Sequence, residues 1–399
     1  MKEHDELTQD VLILSGVRTA IGGFGGSLKG FAPAELGKLV IAEAIRRALL
    51  CPEDIGHVVL GQVIQSRPKD AYLARVAAIQ AGIPVSVPAL TLNRLCGSGL
   101  QAIISCAQMI QLEECDFAVA GGAESMSRSP HVLASGRWGQ KMGDAVMIDA
   151  MLEVLSDPFD ESHMGITAEN VATRNGVTRK AQDALAVESH RRATRAVDEG
   201  RFREQILPIE IRSKKGVSVF DRDEHIRSDV SAEGLASLRP AFCKEGSVTA
   251  GNSSGINDGA AALVLASRKA AQEAGLRPLA RIVAWGHAGV EPGLMGLGPV
   301  KAVPVALQRA GLTIDDIDVI ESNEAFAAQA CAVAAELGLP SEKVNPNGSG
   351  IALGHPVGAT GAIITVKALY ELQRINGRYA LITMCIGGGQ GIAAILEKE

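Results

Sequence analysis

Along most of this chain, short apolar runs alternate with longer stretches in which apolar residues recur every three or four positions. The short runs read as buried strands, at residues 11–14, 58–60 and 117–120 early in the chain and 282–284, 319–320 and 380–383 late in it. Residues 97–112 hold no charge, and Leu100, Ile103, Ile104, Ala107 and Ile110 share one helical face. That spacing predicts a buried helix with Cys96 at its N-terminus. Strands alternating with helices predict an α/β fold of mixed sheets covered by helices on both faces. Residues 124–252 depart from this pattern. They carry most of the charge clusters, a hairpin-like segment over 212–224, and little strand–helix alternation.

The strand–helix pattern occurs twice. Residues 44–50 match 306–312, and residues 97–99 and 117–119 match 359–361 and 379–381, each pair 262 positions apart. The last apolar strand breaks this register: the run beginning at Gly259 resembles the run beginning at Gly391, at a spacing of 132. The first copy therefore carries about 130 extra residues. The expected organisation is a first half of residues 1–123 with 253–277, an inserted domain over 124–252, and a second half over 278–399. In this register Cys96 falls opposite Gly358, three residues after His355. A nucleophile and a base would meet from the two halves across a pseudo-two-fold axis.

Cys96 stands in Asn93-Arg94-Leu95-Cys96-Gly97-Ser98-Gly99-Leu100. A thiol at a helix start meets unpaired N–H groups and the positive end of the helix dipole, which favour the thiolate and can hold a developing oxyanion. The competing assignment is an inert core cysteine. Far downstream, Pro356 in Gly354-His355-Pro356 keeps His355 out of helical geometry and presents its imidazole in a loop. Cys385 follows an apolar strand and precedes Ile386-Gly387-Gly388-Gly389-Gln390-Gly391, a run that packing does not require. Taken singly, a histidine or a strand-end cysteine is ordinarily structural. Asn323-Glu324-Ala325-Phe326 completes the set, with Asn323 also reading as a helix N-cap.

These four elements, in this order, resemble the signature of the thiolase family, and the resemblance extends over nearly the whole chain. It implies a duplicated α/β/α/β/α layered fold whose inserted loop domain grips coenzyme A. It also implies Cys96 as nucleophile, His355 as its base and Cys385 as the acid/base at the substrate α carbon. Asn323 would hold a water that acts with His355 on the thioester oxygen. The backbone N–H groups of Cys96 and Gly387 would form a second oxyanion hole, with glycines permitting close approach.

For the coenzyme, the resemblance implies that His163 and Met164 line the acyl end and that Ser254 contacts pantetheine. Arg227 and Leu155 would clamp adenine, Met295 would close the acyl pocket, and Phe242, Ala250 and Phe326 would be further contacts. On its own residues Arg227, near His225 and Asp229, reads as a solvated charge, and Met295 reads equally as core. Ketoacyl synthases share the fold and the helix-start cysteine but lack a second reactive cysteine, which sets decarboxylative condensation aside. The leading expectation is an acetyl-CoA acetyltransferase that joins two acetyl-CoA molecules or cleaves acetoacetyl-CoA. The alternative is a degradative 3-ketoacyl-CoA thiolase of β-oxidation with longer substrates. A non-catalytic acyl-CoA-binding protein would have lost a reactive residue, and none is lost.

Forty-four glycines, without collagen period or low complexity, suit tight turns and close backbone approach to a ligand. A net charge of −6, with no basic tract, excludes a nucleic-acid partner. An anionic coenzyme must then be met by local basic residues, helix N-termini and backbone N–H groups. Seven cysteines without a Cys-x-x-Cys pair argue against a disulfide framework or a zinc site, so no metal is expected. Residues 1–10 are polar and acidic, without a targeting signal, and no apolar run approaches the roughly 20 residues of a membrane span. These features predict a cytoplasmic protein with no membrane partner and no tightly bound cofactor, the CoA thioester being substrate. Family resemblance adds a homodimer or homotetramer.

Overall fold

Two copies of one strand order meet at the centre of this protein. A computed structural model describes residues 10–214 and 216–399, so residues 1–9 of the polar N-terminal stretch lie outside the described residues. In chain order the main strands are β1 (Val11–Thr19), β2 (His57–Gly61), β3 (Ala89–Leu92), β4 (Phe117–Ser125), β5 (Asn257–Ser267), β6 (Ala280–Gly289), β7 (Val319–Ser322), β8 (Tyr379–Ile386) and β9 (Gln390–Lys398). They are hydrogen-bonded in the order β7-β8-β9-β6-β1-β5-β4-β2-β3. Outward from the β6–β1 junction, β9, β8 and β7 on one side correspond to β5, β4 and β2 on the other, which is how the sequence repeat pairs them. The junction itself is short and antiparallel, Val11 to Ile13 against Ile282 to Ala280.

The principal helices are α1 (Pro33–Arg47), α2 (Leu73–Gln80), α3 (Ser98–Gln111), α4 (Met164–Asn175), α5 (Arg179–Asp198), α6 (Gly298–Ala310), α7 (Ala327–Leu337) and α8 (Thr360–Ile375). Helices α1 and α2 cover the outer face of the first half's strands, and α6 covers β6, β8 and β9. Helices α3 and α8 lie between the halves and touch strands of both, giving the α/β/α/β/α layering. As its spacing predicts, α3 buries Leu100, Ile103, Ile104, Ala107 and Ile110. Each of the leucine and isoleucine side chains contributes about 1.5–3 kcal/mol of apolar burial. The two central helices cross in backbone contact: a Cβ on Gly99 would stand 2.6 Å from the Ala362 nitrogen, and one on Gly361 would strike the Leu100 backbone.

Two elements differ from the sequence reading, each for a physical reason. Strand β1 runs on to Thr19, past its apolar start, because a buried Arg18 is fully satisfied there. Its guanidinium pairs with Asp223 at 2.7 Å and donates to Gln205 at 2.8 Å, both within residues 124–252. Residues 124–252 are more regular than their composition suggests. Helix α5 extends over 20 residues, capped by the Thr178 hydroxyl accepting from the Ala181 N–H. Its buried face is Gln182, Asp183, Ala186, Ser189, His190, Ala193 and Ala196, a stripe of small and polar residues that leaves no apolar periodicity. The charged hairpin forms as Ile209–Ser213 against Gly216–Phe220. Among the described residues, no helix is long and apolar enough to cross a membrane.

Candidate active site

The ends of the two central helices bring four separated segments to one cavity. Cys96 directly precedes Gly97, the N-cap of α3, on a tight turn in which Leu95 has φ +47°. The turn is braced by Ser98, whose hydroxyl accepts from the Arg94 N–H at 2.8 Å and donates to the Leu95 carbonyl at 2.7 Å. From the other half, His355 precedes the start of α8. Its backbone N–H donates to Asn257 Oδ1 at 2.9 Å, and Gly354, at φ +106°, packs so closely on Asn257 that no side chain fits. Cys385 lies near the end of β8, and the turn after it carries Gly387.

These residues line one cavity of about 470 Å³, within the range of small-molecule sites. Cys96, His355, Cys385 and Gly387 all face it. So do eight of the nine expected coenzyme contacts: Leu155, His163, Met164, Phe242, Ala250, Ser254, Met295 and Phe326. His163 and Phe242 stack with ring centroids 4.7 Å apart, and Phe326 meets Phe242 edge-on at 6.1 Å. Arg227 is the exception. It is exposed and outside the lining, with its backbone N–H donating to His190 Nδ1 at 3.1 Å.

Asn323 is also outside the lining but touches it through His355, its Nδ2 lying 3.4 Å from His355 Nε2. It is not an N-cap. Helix α7 begins four residues later, with Phe326 at the cap position. Its backbone is fixed instead by its N–H donating to the Thr383 carbonyl at 3.0 Å and by Gln329 donating to its own carbonyl at 3.4 Å. Asn323 Oδ1 is buried without a protein partner, so it keeps an acceptor for a donor from outside the protein.

The electrostatics correct the expectation of a resting thiolate. Burial pushes the Cys96 thiol up to about 11, although the N–H groups of Gly387 and of Cys96 itself act in the opposite direction. Burial in an apolar cavity outweighs the helix terminus. Cys385 is raised further, by burial and then by Cys96 beside it. Burial lowers His355 to about 4, so its imidazole is neutral. The resting state is two thiols and one unprotonated base.

Two site residues were not singled out from the sequence. Thr360 places its hydroxyl 2.6 Å from His355 Nδ1 and donates to the Pro356 carbonyl at 2.9 Å. Its signal was the repeat, where Thr360 aligns with Ser98. Glu124 is fully buried and accepts from the N–H groups of Val63 at 2.9 Å, Ile64 at 3.2 Å and Gly358 at 2.9 Å. Burial raises it to about 8 against those three donors. It fastens the His355 loop to the loop after β2, and nothing in its local sequence marks that role.

Comparison with known proteins bears on the family and the fold. The family model for the thiolase N-terminal domain matches residues 11–269, and that for the thiolase C-terminal domain matches residues 276–398. The chain is 60% identical over 393 residues to the beta-ketothiolase BktB of Cupriavidus necator, covering 98% of this chain and all of that one. It superposes on the acetyl-CoA acetyltransferase of Bacillus anthracis with a TM-score of 0.97 at 47% identity, over 98% of this chain and 100% of the other. Human mitochondrial 3-ketoacyl-CoA thiolase in complex with CoA matches with a TM-score of 0.96 at 41% identity, over 98% and 99% of the two chains.

Proposed function

This chain belongs to the thiolase family, and from that premise we propose that it is an acetyl-CoA C-acetyltransferase. It joins two acetyl-CoA molecules into acetoacetyl-CoA and CoA, and runs the reverse thiolysis, through an acetyl group carried on Cys96. The observation that carries this reading is the pair of cysteines in one cavity with a neutral imidazole.

In the first half-reaction the Cys96 proton passes to His355 as the sulfur attacks the acetyl carbonyl. The carbon–sulfur bond to CoA then breaks, and Cys385 gives its proton to the departing thiolate. In the second, the Cys385 thiolate takes a proton from the methyl group of a new acetyl-CoA. The enolate is held by protonated His355 and by a water on Asn323, whose unpartnered Oδ1 supports that role. The enolate carbon attacks acetyl-Cys96, the carbon–sulfur bond breaks, and the Cys96 thiolate recovers its proton from His355. The N–H groups of Cys96 and Gly387, already directed at the Cys96 sulfur, would receive the tetrahedral oxyanion.

His163, Met164, Phe242, Ala250, Ser254, Met295 and Phe326 would hold the pantetheine and acyl end, with Leu155 at the cavity wall and Arg227 at the surface reaching adenine. A second reading, with longer 3-ketoacyl substrates, has one observation in its favour. Met164 and Met295 are both in the lining, and unbranched methionines can swing aside. We further read the protein as a cytoplasmic homo-oligomer. All seven cysteines are unpaired, and residues 131–149 expose Trp138, Met142, Val146 and Met147, an apolar patch suited to a partner copy.

Brief incubation with acetyl-CoA and an acid quench should add one acetyl mass to the peptide bearing Cys96. Labelling confined to Cys385 would overturn the assignment. Thiolysis rates for acetoacetyl-CoA against an eight-carbon 3-ketoacyl-CoA separate the two substrate readings, equal efficiency favouring the second.

A further inference from the structure

We propose that Thr360 is a positioning residue that fixes the tautomer of His355, so that Nε2 is the atom that receives the Cys96 proton. The inference rests on the reading of His355 as the base of the first half-reaction. A threonine hydroxyl has one proton and two lone pairs. We assign the Thr360 proton to the Pro356 carbonyl, 2.9 Å away at the first turn of α8, an oxygen that also accepts from the N–H groups of Ala359 at 2.8 Å and of Thr360 at 3.0 Å. The same oxygen lies 2.6 Å from His355 Nδ1, and both groups are buried. With the proton there, a lone pair faces the ring, so Nδ1 carries the hydrogen and donates to Thr360.

The other nitrogen fits the same assignment. The neighbour of Nε2 is Asn323 Nδ2, a donor group 3.4 Å away, which matches an unprotonated nitrogen and opposes a protonated one. With the hydroxyl and the amide oriented this way, the opposite tautomer would set lone pair against lone pair at Nδ1 and hydrogen against hydrogen at Nε2. Because burial keeps the ring neutral, it has one proton to place, and both neighbours place it on Nδ1. When Nε2 accepts the Cys96 proton, the ring becomes a cation whose Nδ1–H already points at an oxygen.

The sequence repeat supplies a third observation. Ser98, the counterpart of Thr360, uses its hydroxyl in a parallel way, donating to the Leu95 carbonyl and accepting from the Arg94 N–H around the Cys96 turn. Each half therefore contributes one hydroxyl at the start of a central helix. One braces the nucleophile and the other orients the base.

The test uses full-length enzyme labelled with 15N-histidine. Long-range proton–nitrogen correlations report which ring nitrogen is protonated, with His355 assigned by its loss in His355→Asn. Wild type should show hydrogen on Nδ1 and a bare Nε2. Thr360→Val removes the acceptor at nearly constant volume and should give mixed tautomers. A positioned base contributes about 10²–10⁴-fold, so kcat for thiolysis should fall at least about tenfold. The KM for the acyl-CoA should change by less than about twofold, and Thr360→Ser should restore both the tautomer and kcat. A protonated Nε2 in wild type overturns the proposal without any variant, as does a Thr360→Val enzyme that keeps both tautomer and kcat. Full acetylation of Cys96 in His355→Asn would instead remove the underlying base assignment, whatever the tautomer.

Discussion

Replacing Gly99 by alanine tests the central helix crossing that sets Cys96 against His355. The new Cβ would lie 2.6 Å from the Ala362 nitrogen, 3.1 Å from the Ala359 carbonyl oxygen and 3.2 Å from the Gly361 nitrogen. All three are backbone atoms, so no rotamer change relieves the clash. Ordinary contact begins at 3.4 Å, and α3 and α8 must therefore separate by about 0.8 Å. Overpacking of this kind costs about 1–3 kcal/mol of stability. The larger effect is on geometry, because Cys96 rides on one helix start and His355 on the other. A misplacement near 1 Å costs about 10²-fold, so kcat for acetoacetyl-CoA thiolysis should fall by about 10–10²-fold. Gly361→Ala, its mate across the crossing, should behave alike. Gly30→Ala, whose Cβ meets no atom within 4 Å, should change neither rate nor thermal midpoint. A Gly99→Ala enzyme with wild-type kcat and midpoint would refute the backbone contact as the constraint on the site.

Three further outcomes follow from buried charge and hydrogen bonding. Glu124→Gln keeps the volume but turns an NH₂ towards one of the N–H groups of Val63, Ile64 and Gly358, leaving a buried donor unpaired at about 1–3 kcal/mol. Calorimetry should show a lower midpoint, with kcat reduced because Gly358 belongs to the His355 loop; unchanged values in both would refute the fastening role. Asp223→Ala strands the fully buried Arg18 and should cost about 3–5 kcal/mol, read as a lower thermal midpoint, whereas a change within error would mean Arg18 finds water. His355 is held at about 4 against its ordinary 6.5, so the unfolded chain binds more protons between those values. The contribution to stability, about 3 kcal/mol, is complete above about pH 6.5 and is lost as pH falls from there through about 4. The kcat/KM profile should likewise lack an inflection near 6.5 from this group, and an acidic limb there that vanishes in His355→Asn would contradict a neutral, buried imidazole.

What could be read from the sequence was whatever leaves a periodic or repeated trace. The apolar face of α3 and the 262-residue repeat anticipated the central helix and the correspondence of strands between the halves, because the innermost strands, buried on both faces, demand continuous apolar runs. The four motif segments likewise come together at one cavity. What escaped were features decided by tertiary partners. Arg18 extends β1 only because Asp223, 205 residues away, neutralises it. Helix α5 buries small and polar residues against the second half, as where Ser189 donates to Glu324 at 2.6 Å, so its pattern resembled surface. The charge state of Cys96 was misjudged because the helix-terminus effect is visible in a local peptide, whereas the opposing burial depends on segments from both halves closing over the sulfur. Thr360 was within reach, since the alignment with Ser98 had already placed a hydroxyl at each helix start.

The central claim is a division of labour between the two cysteines, and Cys385→Ala measures it most directly. Acetylation of Cys96 only exchanges thioesters, so the variant incubated with acetyl-CoA should still add one acetyl mass to the Cys96 peptide, slowed where Cys385 no longer protonates departing CoA. Exchange of acetyl-CoA methyl protons with deuterated solvent should disappear together with condensation, by at least the roughly 10²–10⁴-fold that a positioned acid or base supplies. A Cys385→Ala enzyme that retained full deuterium exchange and condensation would make Cys385 a core residue and contradict the two-cysteine mechanism.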